Sequence, residues 1–392
     1  MTVAAVPPPS GRRTLAVCGG AHALHDGLTD LLNVLYPLLQ AQFGLSYAAI
    51  GSLKMVYSGA MASGGIPAGR LAVRLGAVRV LALGTGLVAA GYALAGFGGS
   101  LAAVVVGLVL AGLGASTQHP IGSSLVSAAY AGARSRTALG TYNFTGDVGK
   151  VVLPALFGLV AAALGWQQAL IVVAALAVAG AGVVLATLKP IPLHDKGDRV
   201  QAGGGRDRPW AYWLLFAIHI ADDLVRTGFL VFLPFLLRDK GADVATIGLG
   251  LSLTFAGGAT GKLVMGWVGE KLGVVPSVVL TETATTLLIL VLLPLGLWPA
   301  LAVLPLVGLV LNGTSSVLYG TVPEFVSAEK RTHAFAVFYT GSSVAGALGP
   351  FLAGLLGDAA GLPVALSVVA CVALTAVPLV WALRPAFREP PP

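Results

Sequence analysis

The stretch HALHDGLTDLLNVLYPLLQ, residues 22–40, sets His22, His25, Asp26 and Asp30 among apolar neighbours. His22, Asp26, Asp30, Asn33 and Pro37 recur every three or four residues and so share one face of a helix. Imidazole and carboxylate can load and release protons, and they can also bind transition metals. His22 and His25 are three apart and diverge by about 60° around the helix, so they need not share a ligand sphere and a common one would also need His119. A second set with the same chemistry lies at His219, Asp222, Asp223 and Arg226, where Asp222 and Arg226, four apart, can pair. A third set, Asn143, Asp147 and Lys150, shares a helix face and adds a cation, as does Lys54.

Composition decides which solvent these residues meet. Of 392 residues, 56% are hydrophobic and only 10% charged, with a mean hydropathy of +0.89, far from the roughly 25% charged share of soluble domains. Apolar stretches of bilayer-spanning length recur along the chain. Twelve helical spans are expected, near 14–40, 46–69, 78–97, 100–130, 137–163, 168–188, 210–237, 244–268, 274–297, 299–326, 332–357 and 362–384. The fold class is therefore an all-α membrane protein, and the alternating short segments of a β-barrel are missing. The first span is too long and too polar for a cleaved signal peptide, so an uncleaved start is expected.

Basic residues orient the spans. With both termini cytoplasmic, only Arg238 and Lys240 of the 23 Lys and Arg residues fall on outer flanks, while Lys54, Lys150, Arg226 and Lys262 fall within spans. The rest sit on cytoplasmic flanks, which accounts for the net charge of +7 without nucleic acid. Residues 189–209 form a polar linker, dividing the chain into halves 1–188 and 210–392. Cys18 and Cys371 lie near the cytoplasmic ends of the first and last spans, where no disulfide is expected.

The halves repeat one another. An offset of 197 pairs His22 with His219, Asp26 with Asp223, Pro37 with Pro234, Gly44 with Gly241 and Gly76 with Gly273; further on it falls to 195 or 196, pairing Gly146 with Gly341 and Pro154 with Pro350. At an offset of 195, Asp147 meets Ser342 and Lys150 meets Ala345, while Lys54 meets Leu251 at 197. The second half thus builds the same spans without those charges.

Two parallel six-span halves resemble the major facilitator superfamily, whose repeats rock about a midplane site. The loop after the second span, Gly69, Arg74, Gly76 and Arg79, and that after the eighth, Gly266, Glu270, Lys271 and Gly273, are similar to that family's cytoplasmic loop signature, with Val73 where the first copy would carry an acid. The stretches HALHDG, GASTQHPIG and YNFTGDVGKVVLP resemble the fosmidomycin-resistance-type branch, with Gln118 where an aromatic residue is expected and with Asp147 and Lys150 as added charges. The resemblance implies twelve transmembrane helices in two pseudo-symmetric halves, a cavity lined by the first, fourth, seventh and tenth spans, and proton-driven export of drug-like molecules from a bacterial-type inner membrane.

A charge at mid-membrane costs at least ~3 kcal/mol, so such groups face a cavity or pair, and usually carry function. His22, Asp26, Asp30 and Asp223 are the candidates for proton coupling. His25, Lys54, His119, Asn143, Asp147, Lys150, Asp222, Arg226 and Asn312 are the candidates for substrate contact. The competing reading makes the histidine–aspartate pairs structural, fixing helix crossings, and makes Asp147–Lys150 a self-neutralising pair. Lys262 and Glu282 are expected near the cytoplasmic interface, where long side chains snorkel. No phosphate-binding loop or catalytic triad is visible, so a secondary transporter without cofactor or resident metal is expected, acting as a monomer on a small-molecule substrate and protons. Uptake of a small organic anion or of a divalent metal is the alternative.

Overall fold

The computed structural model describes residues 11–130, 133–189 and 207–388. The tail before Gly11 and most of the linker lie outside the described residues. Among these residues all regular structure is helical: α1 (Gly11–Asp30), α2 (Leu32–Phe43), α3 (Tyr47–Leu75), α4 (Ala77–Gly98), α5 (Leu101–Ala115), α6 (Gln118–Ala129), α7 (Ala133–Leu164), α8 (Trp166–Thr187), α9 (Pro209–Asp239), α10 (Val244–Leu272), α11 (Val274–Leu292), α12 (Leu297–Phe325), α13 (Arg331–Ala360), α14 (Leu362–Ala373) and α15 (Ala376–Arg388), with one 3-10 turn at Ala328–Lys330.

These make twelve spans, because three are broken in two. The first is interrupted at Leu31, and just before the break the Tyr92 hydroxyl donates to the Leu28 carbonyl at 2.5 Å. The fourth breaks at Ser116–Thr117, where Pro120 cannot donate to the preceding turn and Thr117 N bonds Gly114 O instead. The twelfth breaks between α14 and α15. Nine described spans are apolar enough to cross a membrane by composition alone; α1–α2, α3 and α9 fall short, and α1 and α9 hold the histidine–aspartate pairs.

The backbone itself carries the repeat. Positive-φ glycines recur as Gly44 and Gly241 (63° and 92°), Gly76 and Gly273 (90° and 82°), and Gly165 and Gly361 (87° and 86°). Each lies in a tight connection between helices that residues with a Cβ rarely adopt. Of the eight loop-signature residues, only Gly76 and Gly273 need that freedom. Gly69 and Gly266 have no atom within 4 Å of an added Cβ, and Arg74, Arg79, Glu270 and Lys271 are exposed, Lys271 lying over the Trp267 ring at 3.9 Å.

By contacts the chain forms two units. The first holds the chain up to Leu32 and from Gly59 to the linker; the second holds Asn33–Ser58 and everything after the linker. In the first unit, Cys18, Leu81, Ile121, Leu125 and Tyr142 join one buried cluster. In the second, Tyr212, Leu215, Val278, Leu318, Phe338 and Leu383 join another. Segment 33–58 is fixed within the second unit by Asp358, whose carboxylate accepts Tyr47 N at 2.7 Å and Ala48 N at 2.9 Å at the start of α3. Arg238 also donates to Gln40 Oε1 at 2.7 Å.

Candidate functional site

In the first unit the site begins with a close helix contact. A Cβ on Gly27 would lie 2.6 Å from Gly149 O, and one on Gly149 would collide with the Ala23 carbonyl. Small residues thus let α1 and α7 approach backbone to backbone, which brings side chains of α1 against α7. His22 Nδ1 donates to the Tyr142 carbonyl at 2.8 Å, which leaves Nε2 directed at Asp26 Oδ1, 3.4 Å away. The His22 ring stacks on Tyr142 with centroids 4.1 Å apart. Gln118 Nε2 donates to the Tyr142 hydroxyl, and that hydroxyl donates to the Gln118 carbonyl, both at 3.2 Å.

Asp26 is the meeting point. His119 Nε2 lies 3.5 Å from Oδ1, and Lys150 Nζ lies 3.2 Å from Oδ2. Lys150 is farther from Asp147, at 3.9 Å, so the expected local pair on α7 is secondary to the contact across to α1. Asp30 also acts electrostatically on Lys150. Exposure rises from His22 (3%) through Asp26 (11%) and Lys150 (28%) to His119 (60%). The carboxylate is therefore screened by protein on one side and reachable past His119 on the other.

Other candidates fall elsewhere. His25 Nε2 meets Thr85 Oγ1 at 2.8 Å; since the Thr85 hydroxyl hydrogen goes to Leu81 O, His25 must donate, leaving its buried Nδ1 without a partner. Its hydrogen bond goes to α4 and not to Asp26. Asn143 is exposed. Lys54 belongs to the second unit, with Nζ 5.5 Å from the Tyr57 ring centre. Asn312 donates to Gly308 O at 3.2 Å and packs where Gly258 leaves room.

The second unit repeats the ring geometry with different chemistry. His219 stacks on Phe338 at 4.5 Å and meets Tyr319 edge-on at 5.1 Å, as His22 stacks on Tyr142 and meets His119 edge-on at 5.1 Å. Tyr142 and Phe338 are thus counterparts at an offset of 196, the offset of Pro154 and Pro350. That register corrects the pairing of Asp147 with Ser342. Ser342 instead corresponds to Gly146, where an added Cβ would lie 2.8 Å from His22 Nε2, and Ser342 Oγ indeed contacts His219 Nε2 at 2.7 Å. His219 Nε2 lies 3.4 Å from Asp223 Oδ2. Arg226 pairs with Asp223, not with Asp222 as its spacing allowed, because Asp223 is the acid turned toward it.

Sequence reasoning missed Tyr142 and Gln118, although YNFTGDVGK and TQHP were the stretches that contained them. It also misplaced Glu282. That side chain is buried (1% exposed) and turned toward Asp222, not extended to an interface. The signal available was a lone acid in the middle of an apolar span.

Histidine and carboxylate atoms gather closely enough to hold a metal at His22, Asp26 and His119, and again at His219, Asp222 and Asp223. In each case a cation already contacts an aspartate, Lys150 in the first and Arg226 in the second. An ammonium 3.2 Å from the carboxylate opposes a divalent ion there.

Comparison with known proteins agrees with this architecture. The family model described as Major Facilitator Superfamily matches residues 18–220 and 213–392. The fosmidomycin resistance protein of Escherichia coli (strain K12) is 27% identical over 165 residues, 41% of this chain and 40% of that protein, so the match spans well under two thirds of the relative. Among solved structures, a bacterial homolog to the human lysosomal transporter Spinster, in an inward-facing and occupied conformation, superposes with a TM-score of 0.83 at 16% identity, covering 98% of this chain and 99% of that one. A point mutant of the nucleoside transporter NupG gives a TM-score of 0.78 at 15% identity, covering 96% and 100%. With the family model matched in both halves and twelve spans in a repeated arrangement, this chain belongs to the Major Facilitator Superfamily, as a multi-pass membrane transporter that resembles the fosmidomycin-resistance branch.

Proposed function

We propose that the chain is a proton-coupled exporter of small drug-like or toxic molecules, working by alternating access in a bacterial-type inner membrane with both termini cytoplasmic. The observation that carries this reading is that one carboxylate, Asp26, is contacted at once by Lys150, His22 and His119. A proton and the Lys150 ammonium compete for it. Protonating Asp26 removes the attraction that holds Lys150, which is then released to Asp147, to Asp30 or to a substrate. His22, whose Nε2 faces the same oxygen, and the exposed His119 supply routes for that proton. The relative's name, a fosmidomycin resistance protein, supports export as the direction.

Uptake of a small organic anion is the second reading, favoured by the partly exposed Lys150 ammonium beside His119. Metal transport is disfavoured by that same ammonium. Inside-out vesicles carrying a pH-sensitive dye, challenged in turn with fosmidomycin, cationic dyes, small carboxylates, zinc and manganese, separate the three. Deacidification by a drug is the expected result. Responses confined to carboxylates or to metals would replace export by the corresponding alternative.

A further inference from the structure

Three acids of the second unit are buried together. Asp222 is 3% exposed, Asp223 0% and Glu282 1%. Asp223 has Arg226 as its counter-ion. Asp222 on α9 and Glu282 on α11 have each other, their carboxyl groups lying within interaction reach. Two ionised carboxylates cannot hydrogen-bond to one another, because each offers only acceptors and they repel. One oxygen of each, Asp222 Oδ2 and Glu282 Oε1, also lies buried without a hydrogen-bond partner. The charged and titratable groups facing the pair are Arg226, Asp223 and His219 on α9 and Tyr319 on α12. The neutral groups around Glu282 are hydroxyls. Thr314 lies within hydrogen-bond reach of it, and the neighbouring Thr286 donates to the Glu282 and Ala370 carbonyls. Arg226 contacts Asp223 and reaches Asp222 only through its field, so one guanidinium faces three buried carboxyls and cannot neutralise them all.

We propose that Asp222 and Glu282 share one proton, which bridges α9 and α11 and forms a proton site in the second unit separate from Asp26. Losing that proton leaves two facing carboxylates with no donor between them, so release requires the helices to part or water to enter. The site does not depend on the role given to Asp26.

Infrared spectroscopy of the purified full chain tests it, using the carbonyl stretch of a protonated carboxylic acid at neutral pH. The band is expected in the unaltered protein and in Asp26→Asn. It should disappear in Glu282→Gln, where the amide N–H supplies the missing donor and the proton is no longer needed. Asp222→Asn supplies the same donor from the other side and should behave alike, so either variant suffices if the other fails to fold. Absence of the band in the unaltered protein, or its persistence in either variant that folds, overturns the proposal. Absence together with a rise in thermal midpoint on adding sodium or magnesium overturns it in favour of a bound cation.

Discussion

The sites around His22 and His219 share a frame and differ in what they enclose. Both place a histidine between a stacked ring and an edge-on ring, one helical turn before an aspartate. In the first unit that aspartate takes its cation from another helix, through a lysine that is 28% exposed, and a second histidine opens toward solvent. In the second unit Asp223 is fully buried and takes its cation from its own helix, three residues on. A partner on the same helix stays with its aspartate whenever that helix moves as a body; a partner on a neighbouring helix can be exchanged. The repeat therefore supplies the scaffold, and the departures from it mark where charge can move.

The difference should appear most strongly in stability. Arg226→Ala strands a buried carboxylate and is expected to cost about 3–5 kcal/mol, whereas Lys150→Ala leaves Asp26 with two histidines and an open side and should cost under about 1 kcal/mol. Thermal unfolding of both variants in detergent measures it, and equal losses would erase the distinction between the sites. Tyr142→Phe gives the first site the ring of the second. It removes the two hydrogen bonds with Gln118 but keeps the stack on His22, so a loss of about 1 kcal/mol is expected. A loss several times larger would mean that the hydroxyl, not the ring, positions His22.

The smallest effect belongs to the surface. Asp207, just before α9, accepts Lys330 and Ser327 N, and the Lys330 hydrogen bond, followed by that of Ser327, lowers its carboxyl from 3.8 to about 2. Because the folded value lies below the unfolded one, its contribution is present above about pH 3.8 and is lost as pH falls toward 2. The group is fully exposed, so Asp207→Asn should alter the unfolding midpoint barely at neutral pH and not at all once the pH is well below the folded value of about 2. A neutral-pH loss as large as that of Tyr142→Phe would contradict the comparison.

Much of this was legible in the sequence. The spans and the 197-residue offset come from hydropathy and from paired residues, and two of those pairs, Gly44 with Gly241 and Gly76 with Gly273, hold positive φ in the structure. The polar stripe of α1 was readable from its spacing. What spacing could not give was partnership across helices, which depends on how each helix is rotated about its axis. Asp222 and Asp223 are adjacent in sequence yet turn to Glu282 and Arg226 respectively, and Lys150 reaches past its neighbour Asp147 to Asp26. Register within α7 also needed geometry, because a one-residue change in offset moved Ser342 from the counterpart of Asp147 to that of Gly146.

The central claim is that Asp26, and not its counterpart Asp223, exchanges a proton during transport. Its most direct test is substrate accumulation driven by a pH gradient in proteoliposomes holding the unaltered protein, Asp26→Asn or Asp223→Asn, each checked for substrate exchange without a gradient. Asp26→Asn should retain exchange and lose all gradient-driven accumulation, while Asp223→Asn, whose amide still accepts from Arg226, should keep its response to the gradient. Full accumulation by Asp26→Asn, or loss of gradient response in Asp223→Asn alone, would contradict the account.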